Sequence, residues 1–84
     1  MADKIALVVV VNGAPTVVEA NLNAPLRSII GKALEQTDNT GQPAENWELR
    51  DGAGQILDLS AKIGSFGFAA DARLFLNLRA GVGG

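Results

Sequence analysis

The residues best suited to chemistry stand at the end of the chain, because the side chains that most often do chemistry are missing. The 84 residues include no cysteine and no histidine. This composition excludes thiolate nucleophiles, thiolate or imidazole metal ligands and imidazole acid–base catalysis. What remains is the carboxylate of the final pair, Gly83-Gly84. ATP can convert a carboxylate into an acyl-adenylate, whose acyl group then passes to a thiol and finally to an amine.

Glycine suits the acyl end of such a reaction. Without a Cβ, its carbonyl is open on both faces and its backbone can extend through a narrow channel. The segment 80–84 contains three glycines, which predicts a flexible tail with a reach of roughly 17 Å at about 3.3–3.6 Å per residue. Since 84 residues can hardly enclose a substrate cleft, the chain is predicted not to be an enzyme.

Size and charge narrow the class of protein further. The chain is long enough for one domain, and its formal net charge is −2. Its basic residues are scattered and form no stripe that would follow a phosphate backbone. The apolar run Ile5–Val11 is too short for a signal peptide or a membrane span. We therefore expect a cytoplasmic monomer whose partners are neither nucleic acids nor membranes.

The first half of the chain predicts a hairpin followed by a helix. Two β-rich runs, Ile5–Val11 and Thr16–Ala20, flank the turn pair Asn12-Gly13. The first run is apolar throughout, which favours a central strand. A stripe of helical period follows, with Asn23 as N-cap, Pro25 in the first turn and an end near Gln36. The stripe consists of Leu26, Ile29, Ile30, Ala33 and Leu34.

The second half predicts short strands around a long crossover. Trp47–Arg50 alternates as a half-buried strand, and the turn 51–54 leads into a short returning strand at 55–57. The turn lacks the ligand spacing of an EF-hand and the Lys-Ser/Thr of a phosphate loop. Residues 58–73 are irregular but apolar enough to pack on a core, to which Trp47 is also assigned. A last strand, Leu74–Leu78, turns its leucines inward.

This order of elements predicts an α+β fold, the β-grasp, in which one helix packs across a mixed four- to five-stranded sheet. The last strand can lie beside the first. The predicted domain covers residues 1–79, and residues 80–84 form the tail.

The sequence resembles ubiquitin and its bacterial relatives over essentially the whole chain. The loop 41–46, Gly-Gln-Pro-Ala-Glu-Asn, is similar to the segment between the ubiquitin helix and its third strand. The crossover 62–74 matches in length and in apolar positions, with Ile63, Phe66 and Phe68 in place of Leu, Tyr and Ile. The leucine-rich last strand, Arg79 and the final diglycine complete the resemblance.

The resemblance is specifically to the modifiers of bacterial ubiquitination-like operons. It implies a protein modifier that is passed on as a thioester and joined to target proteins by an isopeptide bond. The implied partners are an activating enzyme, a conjugating enzyme, a deconjugating metallopeptidase and the targets, and some such operons act in antiphage defence. It implies no bound cofactor, since ATP is consumed by the activating enzyme, and no bound metal.

The same resemblance assigns roles to individual residues. Activation and conjugation fall on Gly84 and Gly83. Arg79 either makes a bidentate contact with an acidic partner surface or is a solvated charge. Further candidates for partner contact are Val82, Phe75, Glu48 and Arg50. The alternative for Phe75 is burial under the irregular segment. Because Glu48 and Arg50 stand where ubiquitin presents part of its apolar recognition patch, dedicated partners are expected.

Three lysines are candidate acceptors for self-conjugation, and the sequence gives no preference among them. They are Lys4, Lys32 and Lys62.

Two other functions stay open at this point. The first is a sulfur carrier with a C-terminal thiocarboxylate, similar to the small β-grasp proteins of thiamin and molybdopterin synthesis. The second is a non-covalent interaction module whose diglycine is incidental. The crossover 62–74 favours the modifier over the sulfur carrier. Removal of Gly83 and Gly84 distinguishes these functions. An interaction module would keep its activity without them, whereas a modifier or a sulfur carrier would lose it.

Overall fold

The computed structural model describes residues 3–70 and 72–80. Its first two strands, β1 (Lys4–Val11) and β2 (Ala14–Asn21), form an antiparallel hairpin. The turn residues Asn12 and Gly13 have φ values of 48° and 87°. Two consecutive positive φ angles define the type I′ turn that Asn-Gly favours, because its twist matches that of the flanking strands. The predicted hairpin is therefore confirmed.

Two further strands complete the sheet. They are β3 (Trp47–Arg50) and β4 (Arg73–Leu78), and the strand order is β2-β1-β4-β3. β4 runs parallel to β1 and antiparallel to β3. The first and last strands of the chain thus pair in the middle of the sheet. The predicted mixed sheet, with β1 at a central position, is confirmed.

One helix, α1 (Ser28–Gln36), packs across the sheet. Its end is close to the predicted position and forms a Schellman motif, in which the N–H groups of two residues beyond the helix satisfy its last carbonyls. Asp38 N donates to Glu35 O over 3.2 Å, and Asn39 N donates to Leu34 O over 2.8 Å. Asp38 adopts the required left-handed conformation, with φ at 62°.

The predicted start of the helix was wrong. The helix begins at Ser28, and Asn23 does not cap it, because the preceding residues form tighter i→i+3 turns, with Ser28 N donating to Pro25 O over 3.0 Å and Ile29 N donating to Leu26 O over 3.2 Å. Leu26 N donates to Ala61 O, and Arg27 N donates to Leu59 O, each over 2.9 Å. Pro25 forms an isolated bridge with Lys62. The crossover thus accepts hydrogen bonds from N–H groups ahead of the helix that have no acceptor within it.

The segment 55–57 does not form a fifth strand. It makes one isolated bridge, between Arg50 and Ile56, and a hydrogen bond of 2.9 Å from Leu57 N to Leu49 O. The preceding turn is closed by Asp51 Oδ1, which accepts hydrogen bonds from Ala53 N over 2.9 Å and Gln55 N over 3.0 Å. The sheet of the described residues therefore has four strands, the lower of the two predicted numbers.

The crossover between β3 and β4 contains more regular structure than the sequence indicated. A short 3₁₀ helix, Ile63–Phe66, places Ile63 at the bottom of the core with no exposed surface. Phe66 and Phe68 stack with ring centroids 5.1 Å apart and are half-buried against the core. The prediction that these apolar residues pack on the domain is confirmed.

The core lies between the helix and the inner face of the sheet. Within the described part of the chain it contains no buried polar or charged residue. Trp47 belongs to it, as predicted, whereas Leu78 is only partly buried. The buried side chains are Leu7, Val9, Val11, Val18, Ala20, Leu26, Ile29, Ile30, Ala33, Leu34, Trp47, Leu49, Ile63, Leu74 and Leu76.

Two isoleucines test whether the crossover is part of this core. Ile63 is fully buried, whereas Ile56 is 62% exposed. We expect Ile63→Ala to lower the free energy of unfolding by about 2–5 kcal/mol, because it leaves a cavity. Ile56→Ala, the same substitution at an exposed site, should change it by less than about 0.5 kcal/mol. Urea denaturation measures both, and equal effects would show that the crossover does not pack as described.

Alanine substitution at two glycines should change the stability of the fold in opposite directions. A Cβ at Gly64 would lie 3.1 Å from Leu22 O, which is held in place by a 2.8 Å hydrogen bond from Gly64 N. A Cβ at Gly31, in the middle of α1, meets nothing within 4 Å. We expect Gly64→Ala to destabilise the fold by about 1 kcal/mol and Gly31→Ala to stabilise it by about 0.5–1 kcal/mol. Thermal unfolding measures both effects. A shift of Tm in the same direction for both variants would contradict the contact between Gly64 and Leu22.

Candidate functional site

The chain leaves the sheet at Arg79, beside the start of β3. Leu78 pairs with Trp47, and Arg79 N donates to Asn46 O over 2.8 Å, so the chain is held up to this residue. The side chain of Arg79 and the next residue, Ala80, are exposed. The predictions for Val82, Gly83 and Gly84 lie outside the described residues and stay predictions.

A groove of about 700 Å³ opens at this point, and we call it the exit groove. It lies between the edge of β3, the segment 56–60 and the two residues that follow β4. Its apolar floor includes Trp47, whose indole N–H is buried and has no hydrogen-bond acceptor in the described part of the chain. Arg27 and Arg79 both line it, and both also line a smaller adjoining cavity of about 270 Å³.

The carboxylates that line the exit groove already have partners. Asp58 Oδ1 accepts hydrogen bonds from Ser60 Oγ over 2.7 Å and from Ser60 N over 3.0 Å. The hydroxyl and then the N–H of Ser60 lower the pKa of Asp58, partial desolvation opposes this, and the positive charge of Arg27 lowers it further. The other carboxylate, Glu48, is bonded to Arg50.

This ion pair occupies the outward face of β3. Arg50 Nε lies 2.6 Å from Glu48 Oε2, and Arg50 Nη1 donates to Gly54 O over 2.7 Å. The guanidinium therefore connects the strand to the turn that follows it. Both predicted contact residues face outward, as expected, but they are bonded to each other. Their role toward a partner stays a prediction.

Phe75 lies on the outer face of the sheet, opposite the helix. Its neighbours Leu74 and Leu76 point into the core, so the alternation of the strand turns Phe75 outward. By register it stands between Val10 of β1 and Arg50 of β3. The ring is half-buried there, and of the two predicted environments the outward one applies.

The sequence reasoning missed an apolar surface on the same face. Val8 and Val10 of β1 point outward, and Val17 of β2, which pairs with Val8, is 59% exposed. A signal for it was present, because the first apolar run does not alternate. A strand that is apolar at every position presents apolar side chains on both faces of its sheet.

Two of the three candidate acceptor lysines contact Glu19, and the third does not. Lys4 Nζ is 3.7 Å from Glu19 Oε1, and Lys32 Nζ donates to Glu19 O over 3.2 Å. Lys62 is exposed just before the 3₁₀ helix of the crossover, and its amine forms no hydrogen bond or ion pair with the described residues.

The described residues contain neither a metal-binding cluster nor a helix suited to crossing a membrane. Across residues 3–70 and 72–80, no three His, Cys, Asp or Glu side chains cluster closely enough to hold a metal ion. Over the same residues, no helix has the length and apolarity needed to cross a membrane.

Solved structures with similar architecture are ubiquitin-like. Ubiquitin from Caldiarchaeum subterraneum superposes with a TM-score of 0.74 at 23% identity, covering 96% of this chain and 99% of that one. A de novo designed protein based on ubiquitin gives a TM-score of 0.78 at 18% identity, covering 100% and 99%. Likeness at these identities shows the fold, which is the ubiquitin-like β-grasp that the sequence predicted.

Sequence comparison finds a nearer relative. The uncharacterized protein y4jI of Sinorhizobium fredii is 60% identical over 81 residues, which are 96% of this chain. The chain spans 62% of the length of that protein. The model of a family described as protein of unknown function, DUF2604, matches residues 1–84, and the chain belongs to that family.

Proposed function

We propose that the chain is a ubiquitin-like protein modifier, activated at the carboxylate of Gly84 and joined to amines of target proteins. The observation that carries the proposal is the position of β4. This strand is hydrogen-bonded on both sides and leads, at Arg79, directly into the segment Ala80–Gly84. A rigid body that ends in a glycine-rich segment suits delivery of a carboxylate to another protein's active site. The proposal concerns the form whose last residue is Gly84.

The proposed chemistry has four steps, one of them the transfer of the acyl group between enzyme thiols, and each step makes one bond and breaks one. The Gly84 carboxylate attacks the α-phosphorus of ATP, and pyrophosphate leaves. A cysteine thiolate of an activating enzyme attacks the resulting acyl-adenylate, and AMP leaves. After transfer to a conjugating enzyme, a target amine attacks the thioester, and the thiolate leaves as the amide forms. The thiols belong to partners, since this chain has no cysteine.

The domain would supply binding surface and not catalysis. Arg79 stands at the root of the tail, where a guanidinium can hold a partner carboxylate by two hydrogen bonds. The outer face with Phe75 offers apolar contact. Glu48 and Arg50, bonded to each other, would favour dedicated partners over proteins that recognise an apolar patch at that position. A deconjugating metallopeptidase and a role in antiphage defence belong to the same proposal.

Mass spectrometry of conjugates tests the proposal. Trypsin cleaves after Arg79, and no Lys or Arg follows it, so a conjugated lysine should keep the remnant Ala80–Gly84. We expect an affinity-tagged chain that ends at Gly84, expressed in its source organism, to yield peptides with this remnant. Deletion of Gly83 and Gly84 should abolish them completely, because no acyl group of the required form remains.

A substitution outside the tail supplies the control for that experiment. Gly41→Ala introduces a Cβ into open space, so it should leave the remnant peptides unchanged. Absence of the remnant from the wild-type sample, or its persistence after the deletion, would contradict the proposal. A thiocarboxylate on the purified chain, seen by intact mass as replacement of one oxygen by sulfur, would instead favour the sulfur carrier.

The acceptor lysines give a second test, on chains joined to each other. The amines of Lys4 and Lys32 are held by Glu19, whereas that of Lys62 is free of such contacts within the described residues. Exposed pairs of this kind contribute up to about 1 kcal/mol. We therefore expect the remnant on Lys62 up to about fivefold more often than on either of the others. Equal labelling in quantitative peptide mapping would show that these contacts do not select the acceptor.

A further inference from the structure

The sheet has one covered edge and one open edge. At the β3 edge, the segment 55–57 runs beside the strand, and Leu57 N donates to Leu49 O over 2.9 Å. The opposite edge is β2, a strand of eight residues. Within the described part of the chain, the backbone of residues 15–19 forms hydrogen bonds to no other backbone segment than β1. An open edge presents N–H and C=O groups with which another strand can pair.

The register of the hairpin determines which backbone groups of β2 point out of the sheet. Val8 N donates to Ala72 O over 3.3 Å, so the backbone of Val8 faces β4 and exchanges no hydrogen bonds with its β2 partner, Val17. In an antiparallel pair of strands, such positions alternate with hydrogen-bonded ones. The backbone groups of Pro15, Val17 and Glu19 therefore point away from β1 and out of the sheet.

Two of these outward positions are not available for a new hydrogen bond. Pro15 has no N–H group. The carbonyl of Glu19 already accepts a hydrogen bond from Lys32 Nζ over 3.2 Å. The groups that remain are the carbonyl of Pro15, the N–H and carbonyl of Val17, and the N–H of Glu19. They are arranged symmetrically about Val17.

A second copy of β2 satisfies all four groups when it runs antiparallel with its Val17 opposite the first. The two Val17 residues then exchange both of their backbone hydrogen bonds, and each Glu19 N–H meets a Pro15 carbonyl. The missing N–H of Pro15 faces the Glu19 carbonyl to which Lys32 is bonded. The edge is therefore complementary to itself, as a two-fold contact requires.

The side chains favour the same register. Val17 is 59% exposed, and β-branched side chains directly opposite each other are a favourable cross-strand pair. A pairing centred on Glu19 would place two carboxylates opposite each other, which is destabilising. A pairing centred on Val18 would place each Val17 opposite a Glu19 carboxylate. The register centred on Val17 avoids both arrangements.

We infer that a second copy of this chain pairs with the open edge of β2, antiparallel and centred on Val17. The two sheets join into one sheet of eight strands, four from each copy. Because a single pair of short strands buries little surface, the dimer is weak, with a Kd on the order of 100 μM. The pairing departs from the monomer that the composition predicts, since composition carries no information about an open edge.

The inferred contact is independent of the proposed conjugation. β1 separates β4 from the β2 edge, so the pairing does not use the strand that leads to the tail. The dimer needs neither ATP nor a partner enzyme and is measured on the purified chain. Failure of one proposal therefore leaves the other standing.

Opposite charges placed on the two-fold axis test the inference. Val17 is exposed, so Val17→Lys and Val17→Asp should both leave the fold intact, which circular dichroism checks. In sedimentation equilibrium at low ionic strength, we expect each variant alone to self-associate about fivefold more weakly than the unaltered chain, because like charges meet across the axis. An equimolar mixture of the two should associate at least about fivefold more tightly than either alone.

A matched substitution and amide hydrogen exchange supply the controls. Val17→Thr keeps the shape of the side chain and the backbone N–H, so it should change the Kd by less than about twofold. In nuclear magnetic resonance of the unaltered chain, the amides of Val17 and Glu19 should exchange more slowly as the protein concentration rises. The amide of Val18, which faces β1, should be protected at every concentration.

Four results would overturn the inference. The first is a chain that remains monomeric at about 1 mM. The second is a mixture of the two charged variants that associates no more tightly than either alone. The third is self-association that shifts the signals of Phe75 and leaves the Val17 amide unprotected, which would place the contact on the outer face. The fourth is protection of Val17 that appears only when cell extract is added, which would assign the edge to another protein.

Discussion

β4 occupies the middle of the sheet, with β1 hydrogen-bonded along one side and β3 along the other. Its buried residues Leu74 and Leu76 belong to the same core as the buried residues of the first hairpin and the helix. β1 pairs with residues 73–76 of this strand and β3 with residues 75–78, so the pairing with β3 continues to the last residue of β4. The position of Arg79, and so the direction in which the chain leaves the domain, follows from this pairing.

The same pairing separates two surfaces with different chemistry. On the outer face, β4 brings Phe75 next to the valines of β1 and β2, and ion pairs lie at both ends of this apolar area. At the exit groove, β4 ends beside Trp47 and leaves Arg79 near the start of the helix. For the proposed modifier, two separate surfaces would allow successive partners to bind without competing.

The sequence predicted those features that local chemistry decides. Asn12-Gly13 favours one turn type, and the helical stripe buries itself on any apolar sheet, so the hairpin, the helix and the order of elements could be predicted. The start of the helix could not, because residues 25–27 form i→i+3 turns ahead of Ser28 while the N–H groups of Leu26 and Arg27 bond to the distant crossover. The unmatched indole of Trp47 is likewise a consequence of tertiary packing, and residue types alone do not reveal it.

We propose that a partner activates the Gly84 carboxylate. Replacing this carboxylate by a carboxamide is the most direct test of that proposal. The measurement is ATP–pyrophosphate exchange in an extract of the source cells, with added chain that ends in either the carboxylate or the carboxamide of Gly84. Exchange that rises with the carboxylate form and stays at background with the carboxamide form would support the claim. Equal exchange with both forms would contradict it.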